Sequence, residues 1–338
     1  MSLRVSVITP SCNKSIFLPW CIESVGRQTL TDWEHIIIDD GSTDDSYVVA
    51  QRFAEREPRL KVFCQPNGGV ARARNSGYRQ IAPDSRYLLF LDADDVLEPE
   101  MLEVMVNYLD NHPNSGLAYT ELQHIDENNR EVDRLPLAAR RWEVNERGRV
   151  VPIPPEQPVN RFHSLFAWSG LIPSCCLIRR SVYDEIGGFC EDFGQLFEDT
   201  HLFLSVALRS EVHYLPQIMV RYRVYKDQAS SNERKLWNQE KKLYKKWLYG
   251  AELTAGQRQE VWKAWYFRQH LLMPYLSRRW AKESLQSGNL RDASFHLFRA
   301  VRHEYIYMKT VLASCFTLDD PWLQLIRDAR KSRLEGHR

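Results

Sequence analysis

The chain has little of what would place it at a glance. Nowhere in its 338 residues do about eighteen apolar residues follow one another, so no transmembrane helix is expected and membrane contact is expected to be peripheral. The first residues enter a strand pattern that Cys12-Asn13-Lys14 interrupts before a signal-peptide core could form, so no export signal is expected either. Seven cysteines, at 12, 21, 64, 175, 176, 190 and 315, form no C-x-x-C pair and no zinc spacing. An odd, scattered set reads as the reduced thiols of a cytoplasmic protein. Net charge is only +1, which excludes no partner, but its distribution is uneven. Residues 231–338 hold 21 Lys and Arg against 11 Asp and Glu, leaving 24 against 33 for residues 1–230. A basic carboxyl-terminal third suits anionic lipid head groups, an anionic glycan or nucleic acid, although a solvated helical face is the commoner meaning of such a run.

What is present is concentrated at strand ends. Tyr87-Leu88-Leu89-Phe90-Leu91 is a continuous apolar run, read as a buried strand, that stops at Asp92-Ala93-Asp94-Asp95. Three carboxylates within four positions at the carboxyl end of a parallel strand call for a cation. Mg²⁺ or Mn²⁺ held there keeps coordination positions free for phosphate oxygens, which makes a nucleoside-diphosphate site. An isolated Asp-x-Asp would be only an acidic turn.

Here it is not isolated. Val5 to Pro10 reads as strand one, with Pro10 ending its pairing. Trp33 to Ile38 reads as a strand running into Asp39-Asp40-Gly41-Ser42-Thr43-Asp44, where Asp44 or Ser42 can cap a helix from Tyr47 to Glu55. Leu60 to Phe63 makes another strand, followed by Asn67-Gly68-Gly69 and a helix carrying Arg72 and Arg74. The backbone amides at that helix start, with Arg74, suit an anionic group. Strand, helix, strand, helix, strand over a hundred residues implies a parallel sheet whose polar loops leave at one edge.

Ser6-Val7-Ile8-Thr9-Pro10, Asp39 to Asp44, Gly69 to Gly77, Asp92-Ala93-Asp94-Asp95 and, later, Glu198-Asp199 stand in the order of the inverting family 2 glycosyltransferases, which this sequence resembles over roughly its first two thirds. The resemblance implies an α/β fold of GT-A type, a single Rossmann-like sheet flanked by helices. It implies a nucleoside-diphosphate sugar donor, UDP-sugar favoured, a divalent Mg or Mn, and transfer to a hydroxyl with inversion at the anomeric carbon. By resemblance Asp199 is the catalytic base. Thr9, Pro10, Asp39, Asp40, Arg74, Asp92 and Ala93 fall in donor-binding segments, with Asp39 or Asp40 accepting from a uracil or thymine imide. Asp94 is the expected direct metal ligand, Asp92 lies nearer the ribose, and Asp95 is a second ligand or supports the first. The acceptor implied is a glycan, a lipid-linked intermediate or a protein, and no nucleic acid is expected. Two positions depart from relatives: Cys12 stands where an aromatic residue commonly stacks on the base, and Tyr225 where a His often joins the metal site.

Elsewhere the pattern is plainer. Pro99 to Leu109 reads as a helix and Leu117 to Thr120 as a strand, Asn128 to Gln157 as a long connection, Phe166 to Ile178 as strand-like, and Arg179 to Phe189 as a short helix closed by glycine. Glu198 and Asp199 open an amphipathic helix to Leu208, where carboxylates also suit an ordinary helix start. The expected division is a catalytic domain over 1–230 and an all-helical extension over 231–338, interrupted at Gly250, Gly256 and Pro274, with a tetratricopeptide-like hairpin at Ala281 to Val301. Other functions fit less well. A sugar nucleotidyltransferase needs a Gly-rich basic loop after strand one that Thr9 to Lys14 lacks. A noncatalytic protein that binds nucleotide sugar or recruits partners through its helical tail has no need of Asp92, Asp94 and Asp199 together.

Overall fold

Short apolar runs alternating with amphipathic helices dictate a layered α/β arrangement, and the computed structural model has it. It describes residues 4–225 except 135, 145–149, 155, 161, 168–169 and 194–195, then 242–249, 253–286, and 288, 290, 293–294, 296–298 and 301. In chain order the elements are β1 (Val5–Ser11), α1 (Leu18–Gly26), β2 (Trp33–Asp40), α2 (Ser46–Ala54), β3 (Leu60–Gln65), α3 (Val70–Tyr78), β4 (Tyr87–Phe90), β5 (Val96–Leu97), α4 (Met101–Asn111) and β6 (Ser115–Ile125). After them come β7 (Trp142–Val144), β8 (Val150–Pro152), β9 (Val159–Asn160), α5 (Phe162–Ala167), β10 (Cys176–Arg179), α6 (Arg180–Ile186), α7 (Glu198–Ala207), β11 (Glu211–Arg223), α8 (Ala255–Tyr266) and α9 (Met273–Gln286).

The chain divides into two compact units. The first comprises Met1–Ala139, Pro154–Arg161 and Gly170–Glu252. Its sheet runs β3-β2-β1-β4-β10-β6-β11-β5, with β9 beside β11. The four strands β3, β2, β1 and β4 are parallel, as the alternation of strand and helix requires. Every residue of β2 is buried, consistent with a strand covered on both faces. Beyond β4 the sheet is mixed, because β10 enters antiparallel between β4 and β6. The parallel register sets Ser11 beside Asp39 and Ile8 beside Phe90, so the residues that follow β1, β2 and β4 emerge together at one edge. α3 lies close on β1: a Cβ at Gly77 would stand 2.4 Å from Ile8 Cγ2, a separation only glycine permits.

Several expectations change. Pro10 does not end the pairing of β1, which continues through Ser11 opposite Asp39. The strand expected from Phe166 splits, because Phe162–Ala167 is helical and only Cys176–Arg179 joins the sheet. The connection at 128–157 carries a 3₁₀ turn at Leu137–Arg140 and the β7–β8 hairpin. Gly187, at φ +83°, closes α6 as the sequence indicates.

The second unit comprises Arg140–Ile153, Phe162–Ser169 and Leu253–Arg338. Trp142, Phe267, Leu272, Met273 and Leu276 form its core, with Val150 packed against them. Thr254 and Gln257 make a reciprocal capping box at the start of α8, so Gly256 sits within the first helical turn and interrupts nothing. Nor does Pro274 break the helix. A π-helical stretch over Phe267–Leu272 precedes α9, and such a stretch shifts the hydrogen-bond ladder where Pro274 lacks a donor. Trp237, Gly250 and several positions of the proposed 281–301 hairpin lie outside the described residues.

Candidate active site

At the carboxyl edge of β1, β2 and β4 the first unit has a cavity of about 380 Å³, a size that suits a small ligand. Its wall is made of strand ends, the start of α3 and the start of α7. Of the residues singled out from the sequence, Pro10, Asp40, Arg74, Asp92, Ala93, Asp94 and Asp199 line it, together with Glu198. Three do not. Thr9 is buried with Oγ1 2.9 Å from His35 Nε2. Asp39 accepts the Ser42 amide at 3.1 Å and is buried near the end of β2. Asp95 is fully buried, accepting from Ser174 Oγ at 2.5 Å and from the Arg223 amide at 3.0 Å, so neither oxygen faces the cavity.

Strand periodicity accounts for the aspartate pair on β2. Successive side chains point to opposite faces, so Asp39 and Asp40 cannot both reach the same space. Asp40 takes the cavity side, accepting the Gly68 amide at 2.9 Å, the Gly69 amide at 2.8 Å and Gln65 Nε2 at 2.7 Å. It thereby fixes the glycine turn from which α3 starts, with Gly69 at φ +87°. The helix start presents its first amides where Val70 lines the cavity, a favourable place for an anion.

Arg74, on the next turn, is buried and forks between the two acidic motifs. One guanidinium nitrogen donates to Asp92 Oδ1 at 2.7 Å and another to Glu198 Oε1 at 2.8 Å. Burial disfavours the charge of Arg74, but Asp92 and Glu198 outweigh it and the guanidinium pKa is raised. Burial pushes the Asp199 carboxyl upward against the pull of Arg74. Burial and the neighbouring Asp199 push Glu198 upward too, again opposed by Arg74. Asp199 Oδ1 is held by the Thr200 amide at 2.5 Å. Ser11 Oγ, Glu198 Oε2 and Arg74 Nε are buried in this wall without a hydrogen-bond partner in the structure, and buried polar atoms of this kind are normally satisfied by a ligand or water.

Lys14, Ser174 and Arg223 of the site were not singled out by their sequence, whereas Tyr225 was, as the residue standing where relatives often place a metal-site His. Lys14 Nζ donates to Asp94 Oδ2 at 2.7 Å, and Tyr225 Oη donates to the same oxygen at 2.7 Å. Lys14 also hydrogen-bonds Tyr225 Oη. Burial works against the Lys14 ammonium, yet Asp94 and Tyr225 raise its pKa above the usual value; burial and Asp94 push Tyr225 up to about 12. Ser174 accepts the Asp92 amide at 3.1 Å, and Arg223 donates from Nε to the Asp94 carbonyl at 2.9 Å and from Nη1 to the Asp126 carbonyl at 2.8 Å. With Asp95 they clamp the Asp92–Asp94 turn from below. Lys14 could have been found as the one lysine within a strand-end loop of the motif; Ser174 and Arg223 carry no comparable signal.

The sequence profile of glycosyl transferase family 2 matches residues 6–187. Glycosyltransferase GlyA of Streptococcus pneumoniae is 25% identical over 269 residues, covering 75% of this chain and 34% of that protein. The chain spans about a third or less of the curated relatives it matches. Among solved structures, S. aureus TarS 1-349 in complex with UDP-GlcNAc aligns over 90% of this chain and 92% of its own at a TM-score of 0.60 and 16% identity. Mannosyltransferase PcManGT of Pyrobaculum calidifontis, in complex with GDP-Man and Mn²⁺, covers 98% of this chain and 86% of its own at 0.58 and 16%. The structural likenesses speak for the GT-A fold; the profile, matched over more than half of the sequence and through every strand-end motif up to Asp95, makes this chain a member of glycosyl transferase family 2.

Proposed function

We propose that the protein moves a sugar from a nucleoside-diphosphate donor, UDP-sugar favoured, to an acceptor hydroxyl with inversion at the anomeric carbon. The observation that carries this reading is the placement of Asp94 and Asp199 in one cavity, joined through Arg74 by its bonds to Asp92 and Glu198. Two relatives of the same fold are described with UDP-GlcNAc and with GDP-Man, which supports a nucleotide sugar as the ligand class.

In this reading the diphosphate lies against the first amides of α3 and the Lys14 ammonium, and Asp40 faces the nucleoside. Asp199 takes the proton of the acceptor hydroxyl as the new glycosidic bond forms, and the nucleoside diphosphate leaves on the opposite face of the sugar. A carboxylate pushed upward by burial is a stronger base than one in water. Arg74 holds Glu198 and so the start of α7 on which Asp199 rides.

The donor set fits a divalent cation that arrives with a diphosphate. Asp94, with Asp92 beside it, would hold Mg²⁺ or Mn²⁺, while among the described residues no group of three or more His, Cys, Asp or Glu converges as a complete metal cage. Mg²⁺ in nucleotide enzymes characteristically takes one or two carboxylates, with phosphate and water oxygens for the rest. When bound, such an ion would stabilise the negative charge that grows on the leaving diphosphate. The acceptor is proposed to be a glycan, a lipid-linked intermediate or a protein in surface polysaccharide or glycan synthesis, at the cytoplasmic face of a membrane. Among the described residues no helix is long and apolar enough to cross one. A panel of sugar nucleotides incubated with Mn²⁺ or Mg²⁺, then with chelator, tests the reading. Released nucleoside diphosphate with an inverted product supports it, and silence with every donor and either metal overturns it.

A further inference from the structure

Asp94 lines the cavity, and its Oδ2 already has a cation. Lys14 Nζ stands 2.7 Å away, in an ion pair whose side chains are 25% and 13% exposed, so solvent screens it only in part. A divalent ion on that oxygen would sit at about 2.1 Å. Two positive charges cannot share the oxygen at such distances without strong repulsion. Lys14 must leave before a metal ion takes this oxygen.

The surroundings allow it to leave by side-chain rotation alone. The backbone around Lys14 is fixed: its amide donates to Ser46 Oγ at 2.7 Å, Asn13 Oδ1 accepts the Thr43 amide at 2.8 Å, and the Ser15 amide donates to Asp44 Oδ2 at 3.0 Å. The four-carbon stem is a flexible carrier of a point charge. Arg74 is the other cation among the residues lining the cavity, and its two terminal nitrogens are committed to Asp92 and Glu198. Lys14 is therefore the cation that can turn toward an incoming diphosphate, giving up its bonds to Asp94 and Tyr225 Oη, while Tyr225 keeps its own bond to Asp94 Oδ2.

We propose that Lys14 is an internal counter-cation, held on Asp94 in the donor-free protein and handed to the donor diphosphate when nucleotide and metal bind, so that each ligand favours the other. The proposal rests on the nucleotide-sugar reading of this cavity. It makes the cation site one that the nucleotide opens.

The test is Mn²⁺ binding to the full chain, by electron paramagnetic resonance and calorimetry, with and without saturating UDP or GDP. Lys14→Met should bind Mn²⁺ about tenfold more tightly than the native chain in the absence of nucleotide, and the factor by which nucleotide strengthens Mn²⁺ binding should fall by about tenfold, within the usual range of coupling between sites. Lys14→Arg, which keeps a cation beside Asp94, should retain most of the native coupling, and unchanged melting temperatures verify that both variants fold. Tighter Mn²⁺ binding with undiminished coupling would mean that Lys14 only repels the ion, and unchanged Mn²⁺ affinity would mean that it does not compete; either overturns the exchange. Failure of both UDP and GDP to bind the native chain in the presence of Mn²⁺ would instead overturn the nucleotide site itself.

Discussion

Arg74 and Glu198 lie 124 positions apart and meet at 2.8 Å inside the wall of the cavity, with side chains 3% and 5% exposed. This bond couples the glycine-rich half of the site to the helix that carries Asp199. A charge pair this buried is expensive to break from one side, because the partner is left uncompensated. Arg74→Met should lower unfolding free energy by about 3–5 kcal/mol, read from urea denaturation. Arg74→Lys restores the charge but cannot span both acids, so it should recover stability in part while transfer stays depressed.

Asp94 and Asp95 are adjacent in sequence and opposite in consequence. Asp95→Ala strips the Arg223 amide and Ser174 hydroxyl of their buried acceptor and should cost about 1–3 kcal/mol for each group left unsatisfied. Asp94→Ala should leave the melting temperature nearly unchanged while abolishing the response of nucleotide binding to Mn²⁺. Parallel thermal melts and calorimetry of the two variants decide it, and an Asp94→Ala protein with a native Mn²⁺ response would remove Asp94 from the cation site.

Gly77 tests the approach of α3 to β1 apart from any chemistry. Its substitution by Ala places a methyl group 2.4 Å from Ile8 Cγ2, both on packed elements, and overpacking of this kind costs about 1–3 kcal/mol. Because α3 supplies Arg74 and the anion-facing amides, donor affinity should weaken in step with stability. Measuring both on Gly77→Ala checks whether the packing and the site are one unit.

The first four strands and the helices α2 and α3 were legible because strand pattern, helix pattern and turn residues agree there, so Val5, Trp33, Leu60 and Tyr87 begin strands within a residue of where apolar runs begin, whereas α1 at Leu18–Gly26 was not read. The later sheet was harder. β11 contains Pro216 and register shifts around Ile218, which break the alternation that would mark a thirteen-residue strand. Within the site, sequence brought Asp92, Asp94 and Asp199 to one place but could not say which way a carboxylate turns. Asp95 faces inward because Ser174 and Arg223, from segments about 80 and 130 positions away, are there to receive it. Lys14 was read only as part of a loop, since its meaning depends on Asp94 lying beside it in the fold.

Asp199 carries the last prediction, in which stability and activity move in opposite directions. Asp199→Asn keeps the size of the side chain and loses the proton acceptor, so transfer should fall by roughly 10² to 10⁴ while donor affinity by calorimetry stays within a few-fold of native. Burial raises the Asp199 pKa in the folded protein, so the folded state binds this proton more tightly than the unfolded chain does. Stability is therefore lost as pH rises through the interval between the ordinary aspartate value and the raised one, and it is not regained above it. The Asn variant has no such titration. Its stability should equal that of the native chain well below the ordinary aspartate value and exceed it at neutral pH, the difference growing across that interval. For transfer by the native enzyme the sign is reversed, with the rate falling as pH drops through the raised value and the base becomes protonated. Denaturation curves of both proteins from acid to neutral pH, set beside the pH profile of transfer, test the two signs together, and an Asn variant that transfers at the native rate would remove Asp199 from the reaction.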